Sequence, residues 1–243
     1  MKPALLLVAV LAVALVAAAS AAPAPKPEQG RSVVLEPVSG DVQVRPASST
    51  RYRDLDARRR YPVGVTVDAQ EGSVRLIVAR GDGGISRAVF SAGKFTVTQA
   101  REGDPVATLR LTGPSYAHVC DGATASAKRR KRVRRLWGDG KGSFRTSGRY
   151  SAATVRGTRW LTEDRCDGTI TRVVRGEVLV DDFGAVPPAP TPTPTPDPGE
   201  PSPPAGPVQG GGEGGGEPAV RPVTDGSGGD VIVSAGGSYA ARP

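Results

Sequence analysis

A glycine followed by alternating apolar residues recurs along this chain and limits what it can fold into. The unit reads Gly, any residue, apolar, any residue, apolar or Thr. It stands at Gly40-Asp41-Val42-Gln43-Val44, Gly72-Ser73-Val74-Arg75-Leu76, Gly93-Lys94-Phe95-Thr96-Val97, Gly142-Ser143-Phe144-Arg145-Thr146, Gly176-Glu177-Val178-Leu179-Val180 and Gly229-Asp230-Val231-Ile232-Val233. Glycine takes the positive φ of a turn or bulge. The two apolar residues then point to one face of a strand and the residue between them to the other. Most of the chain is therefore expected to be short strands and tight turns. The copies are irregularly spaced, so a strict solenoid repeat is not implied.

The densest strand signal covers residues 142–183. Five short strands are expected there, at 142–146, 150–155, 158–162, 169–174 and 177–183, where β-branched and aromatic residues alternate with polar ones. Further strands fit residues 64–68, 87–99 with a bend at Ala92-Gly93, and 106–111. No convincing amphipathic helix is present. Residues 51–60 have room for one helical turn but too few apolar positions to dock a longer one. Gly138-Asp139-Gly140-Lys141-Gly142-Ser143 looks superficially like a phosphate loop, but Gly follows the lysine and no helix follows. A hairpin turn is expected there. Trp137 and Trp160 are expected in the core.

The same stretch carries a family resemblance. Thr154-Val155-Arg156-Gly157-Thr158-Arg159-Trp160, then Thr169-Ile170-Thr171-Arg172-Val173-Val174-Arg175-Gly176-Glu177-Val178-Leu179-Val180, resembles the closing half of a FecR-type domain. Upstream, Tyr61-Pro62-Val63-Gly64-Val65-Thr66-Val67-Asp68 and the Gly72 unit resemble the opening of that domain. The resemblance spans residues 37–183. It implies an all-β, FecR-like fold of short antiparallel strands in a rolled or solenoid-like stack; a β-sandwich is the alternative. FecR proteins relay an iron-uptake signal to a sigma factor. This chain shows no anti-sigma segment and no internal transmembrane helix, so that role does not carry over. FecR-type domains also end in a strand with a Gly-x-Ser-Tyr-like finish, which Ser234-Ala235-Gly236-Gly237-Ser238-Tyr239 resembles beyond a linker.

The remaining segments divide the chain. Residues 1–22 carry one Lys, an apolar run and a terminal Ala19-Ser20-Ala21, the pattern of a cleaved secretory signal. The run is short for a span of roughly 20 residues. The FecR-like β domain is assigned to residues 31–183. Residues 184–229 are rich in Pro and Thr, then in Gly, and cannot bury a core; a disordered linker is expected. Residues 230–241 return to strand grammar and are expected to dock on the β domain. In an exported chain Cys120 and Cys166, the two cysteines, are most simply one disulfide. Closing that loop should stabilise the fold by roughly 3–4 kcal/mol.

The chain has a net charge of +8, and its loudest polar feature is the basic run Lys128, Arg129, Arg130, Lys131, Arg132, Arg134 and Arg135. An exposed basic loop there would contact a polyanion such as an anionic cell-wall polymer, and another envelope protein is the other expected partner. Nucleic acid is disfavoured, because the chain is exported and no aromatics interleave the run. His118 is the single histidine; with two Cys it makes no tetrahedral metal set, and no metal or cofactor is expected. Glu163, Asp164, Asp181 and Asp182 read as solvent-facing strand residues rather than a catalytic pair. The sequence therefore predicts a non-enzymatic, secreted or envelope-associated binding or scaffold module. Alternatives are a signalling component of the envelope and an extracellular hydrolase.

Overall fold

The structure is a computed structural model and describes residues 24–122, 124, 126, 131–184, 220–222 and 230–242. The expected signal over residues 1–22, and most of the expected linker, lie outside the described residues. The fold is all-β. In chain order the strands are β1 (Ser32–Gly40), β2 (Gln43–Arg45), β3 (Arg53–Asp54), β4 (Arg60–Pro62), β5 (Thr66–Ala79), β6 (Ile85–Gln99) and β7 (Ala107–Thr112). A five-residue helix α1 (Tyr116–Cys120) follows, then β8 (Arg132–Ser147), β9 (Ser151–Arg165), β10 (Gly168–Arg175) and β11 (Glu177–Asp182). The last three are β12 (Val220–Pro222), β13 (Asp230–Ser234) and β14 (Ser238–Ala241).

All of these strands join one open, mixed sheet. Pairing is antiparallel, with β7 and β8 the parallel pair among the described residues. Its long strands change partners halfway. The first half of β5 pairs with β2, and the second half with β1. β6 meets β8 with its first half and β7 with its second. β9 meets β11 before Gly157 and β10 after it. The sheet thus has two hydrogen-bonded runs that share strands, and their apolar faces meet. Phe90 of one run lies 5.6 Å from Phe95 and 5.7 Å from Phe144 of the other, ring centre to ring centre. Trp160 stands edge-on to Phe90 at 5.9 Å, and all four rings are fully buried.

Two glycines make this closure possible. At the β6 bend Ala92 has φ 58°, and a Cβ on Gly93 would lie 2.0 Å from the Arg135 carbonyl oxygen. Within β8, a Cβ on Gly138 would lie 2.4 Å from the Trp160 ring. That ring fills the space over Gly138, and its Nε1–H donates to Thr146 Oγ1 at 2.9 Å across the core.

Several expectations need correction. The strands are not all short: β5, β6, β8 and β9 run 14, 15, 16 and 15 residues. The Gly64 and Gly72 stretches are one strand, β5, with a register shift between Ala69 and Ser73. The expected strands at 150–155 and 158–162 are likewise one strand, β9. Residues 138–143 form no hairpin turn. They lie inside β8, where the register shifts between Lys141 and Phe144, because the alternating glycines make room for neighbouring side chains. Residues 51–60 hold β3 and a turn, not a helical turn. Within 184–229, Val220–Pro222 pair with β13. Residues 230–241 form two strands, not one: β13 pairs with β11 and β14 with β10. Backbone bonds between Val173 and the Gly236-Gly237 turn hold the hairpin's end.

Candidate polyanion-binding groove

The β7–β8 connection begins with Gly113-Pro114-Ser115. Ser115 caps α1, its Oγ accepting the His118 N–H at 3.1 Å. The helix buries none of its residues. Its far end is held by the Cys120–Cys166 disulfide, with Cα atoms 5.5 Å apart. Cys120 sits at the end of α1 and Cys166 in the turn after β9.

Tyr116 hangs from α1 over a buried carboxylate. Asp164 is fully buried, on the same face of β9 as Trp160 and Thr162. Its Oδ1 accepts the Arg149 backbone N–H at 3.0 Å and the Thr169 hydroxyl at 2.6 Å. Its Oδ2 lies 3.9 Å from Arg134 Nε. Burial, and then the Asp164 charge, push the Tyr116 phenol far above its ordinary pKa, so it stays neutral. The Tyr116 ring has the Arg149 guanidinium at 4.2 Å and the Arg134 guanidinium at 5.1 Å. Arg149 also lies 5.3 Å from the Tyr150 ring. Arg110, Leu111, Tyr116, Arg134, Gly148 and Arg149 line a recess of about 240 Å³.

A second recess of about 240 Å³ adjoins it through Arg134. Its lining includes Gln70, Glu71, Lys94, Thr112, Arg132 and Arg135, at the level of the β6 bend. A third, of about 460 Å³, continues from it across Gln70, Lys94 and residues 112–114 to Arg45 and Tyr52. Lys94 Nζ stands 4.8 Å from the Tyr52 ring centre and 2.7 Å from Asp68. Burial works to lower the Lys94 pKa, but the Asp68 carboxylate outweighs it and holds the amine above its ordinary value. The three recesses form one band, rich in cations and set with tyrosines. Asp68 and Glu71 are acids on or beside it, and Asp68 is engaged with Lys94.

The basic run is only partly in this band. Lys128, Arg129 and Arg130 lie outside the described residues. Lys131 is exposed and donates to the Val119 carbonyl at 3.1 Å. The expected loop does not extend to residue 135, because β8 starts at Arg132 and pairs with β9. Arg132 is exposed and Arg135 half-buried; both line the second recess. Arg134 is half-buried and bound into the Tyr116 site, where it also donates to the Leu111 carbonyl at 2.8 Å. Sequence reasoning missed the cations Arg45, Lys94, Arg110 and Arg149, and also Tyr52, Tyr116 and Tyr150, the aromatics that the run lacks.

The four acids are also not simply solvent-facing. Glu163, Asp164 and Asp182 are buried and Asp181 is half-buried. Glu163 pairs with Arg165, Asp181 with Arg145, and Asp182 accepts the Tyr239 hydroxyl. His118 is exposed on α1. Trp160 is in the core, whereas Trp137 is half-buried beneath the Arg159 guanidinium at 5.7 Å. Among the described residues no group of His, Cys, Asp and Glu could hold a metal ion, and no helix is long and apolar enough to cross a membrane. A recess of about 730 Å³ lies elsewhere, between residues 24–29 and the β5–β6 turn. Its walls mix Glu28, Glu36, Arg80 and Arg87 with apolar residues, and no single chemistry is concentrated there. In comparisons with known proteins, no family model, no curated protein and no solved structure matches the chain.

Proposed function

We propose that the protein is an exported, non-enzymatic binding module of the bacterial envelope, with a FecR-like domain, that holds an anionic wall polymer along its basic groove. The observation that carries this reading is the continuity of three cation-lined recesses, each sharing residues with the next. A linear polyanion gains from charges arranged in a band, because each contact releases a counterion. A native disulfide suits an oxidising, extracytoplasmic compartment. The acids that a hydrolase would draw on are engaged by Arg165, Arg134, Arg145 and Tyr239, which favours binding over catalysis.

The test is sedimentation of the purified protein with isolated cell wall at graded salt. Binding is expected to weaken linearly in log–log form with salt. Neutralising Arg132 and Arg135 to Gln should lower the slope by about one unit per lost contact. Binding that ignores salt, or a slope unchanged in the variant, refutes the reading.

A further inference from the structure

We propose that Arg110, Arg134 and Arg149 form a seat for a single phosphodiester group of the bound polymer, shaped by Tyr116. This rests on the polyanion reading above and adds the class of anion and the place where it is gripped.

The groove's cations are not equivalent. Lys94 is engaged with Asp68. Arg110 is exposed and Arg149 exposed, and neither has a carboxylate partner among the ion pairs of the described residues. Arg149 is nonetheless not a loose surface side chain. Its guanidinium lies against Tyr116 at 4.2 Å and near Tyr150 at 5.3 Å, and its own backbone N–H is fixed on Asp164. Aromatic stacking occupies the faces of a guanidinium and leaves its N–H edge available. Arg134 is oriented by the Leu111 carbonyl and by the buried Asp164 carboxylate. Its Nε and the Tyr116 hydroxyl are buried together with Asp164 Oδ2, the carboxylate oxygen that holds both in place.

Three guanidiniums thus face one recess of about 240 Å³, against one carboxylate buried behind them. Planar N–H forks suit the paired oxygens of phosphate better than a point-charge amine does. Both anions offer two charged oxygens, but those of a carboxylate lie in one plane with their substituent and accept best in that plane, whereas those on a tetrahedral phosphorus accept from a wider range of directions and suit donors converging from three separate side chains. The ester arms on either side could then leave along the band.

The tether explains the position of Tyr116. No residue of helix α1 is fully buried, so the Cys120–Cys166 bond, the half-buried Tyr116 ring and the hydrogen bond from Lys131 to the Val119 carbonyl are what keep it against β8. Cutting the disulfide should free the ring and, with it, the face against which Arg149 lies.

The experiment is calorimetric titration of the full chain with poly(glycerol phosphate), with polygalacturonate as the carboxylate control. Vesicles containing phosphatidylglycerol serve as the lipid arm. Arg110→Gln/Arg149→Gln should weaken poly(glycerol phosphate) binding roughly tenfold or more, as expected for lost charge-assisted bonds. Polygalacturonate binding should change far less. Tyr116→Leu, with the disulfide intact and the fold checked by circular dichroism, should lose about fivefold of the phosphodiester affinity, part of the stacking contribution. It should have no further effect in the Arg110/Arg149 variant. Preference for the vesicles over the soluble polymer overturns the polymer as the source of the phosphodiester. Equal losses for phosphodiester and carboxylate polymers overturn the seat but leave the groove. Failure of the unmodified protein to bind either polymer overturns both.

Discussion

Replacing Gly138 by alanine tests how the two runs of the sheet are locked together. The new Cβ would lie 2.4, 2.5 and 2.8 Å from Cζ2, Cη2 and Cε2 of Trp160. Ordinary contact begins at 3.4 Å, so the ring must retreat by about 1 Å. Retreat is blocked, because the ring is fully buried and stands edge-on to Phe90. It is also pinned by its 2.9 Å hydrogen bond to Thr146, itself bonded to Thr162 at 2.6 Å. Overpacking costs about 1–3 kcal/mol. Displacing the indole N–H from its acceptor inside the core adds about 1–3 kcal/mol. Gly138→Ala should therefore lose roughly 2–6 kcal/mol, a large part of the stability of an ordinary domain. Urea denaturation reads this as a lower midpoint at unchanged slope. Near-ultraviolet circular dichroism should show the tryptophan signal altered. Gly103→Ala is the control: its φ is 76°, yet nothing lies within 4 Å of the added carbon, so only about 1 kcal/mol of backbone strain is expected. A loss below about 1 kcal/mol at Gly138, with an unchanged tryptophan spectrum, refutes the account of the core.

Two further outcomes follow from the C-terminal hairpin. Deleting residues 185–243 uncovers β11 and β10 and removes the buried Val233 and Ala241, so a loss of about 3–6 kcal/mol and faster proteolysis of β10 and β11 are expected; an unchanged melting curve would reject this. Burial, and then the hydrogen bond to Asp182, push the Tyr239 phenol up to about 12 from 10.0. The folded state then holds its proton more tightly than the unfolded one, so this stability is whole below pH 10 and is lost as pH rises toward 12. Across that window the melting temperature should fall more steeply in the unmodified protein than in Tyr239→Phe, and parallel curves would sink the assignment.

What the sequence made legible was local. Alternation at Val178 and Val180 places both inside, while Leu179 between them is exposed. The bend expected at Ala92-Gly93 is present, with Ala92 at positive φ. Other local signals were available but were read for the wrong element. Gly138, Gly140 and Gly142 alternate with period two, which marks one face of a strand rather than a loop, and side chains of Trp160, Ala88 and Ser86 press on that face. The same period carries Trp160, Thr162 and Asp164 to one side, which would have predicted a buried Asp164. The groove was a different matter. Tyr52, Lys94, Arg110, Tyr116 and Arg149 come together only because long strands change partners at their bends. That choice is made by core packing between the two runs, and no window of sequence reports it. The register that brings Arg134 opposite Asp164 is equally non-local.

The placement of the groove follows from the closure of the core. β5 and β6 bend at one level so that their apolar faces can meet across the core, and β8 approaches closely enough that the Arg135 carbonyl leaves no room for a Cβ on Gly93. At such a bend neighbouring side chains splay and recesses open on the outer surface. Charges there would also serve a second purpose, since cations on irregular sheet margins discourage pairing with another chain. Deterrence alone, however, asks only for exposed and loosely held lysines. It does not call for Arg149 to be ordered against Tyr116, near Tyr150 and above a buried carboxylate, on a connection whose helix is tethered by a disulfide. Ordering long side chains costs up to about 2 kcal/mol each in rotamer freedom. An arrangement that has already met this cost before any ligand arrives is preorganised for one. On the proposed reading, exposed cations such as Arg132 would supply long-range attraction and the ordered ones at Arg134 and Arg149 the grip.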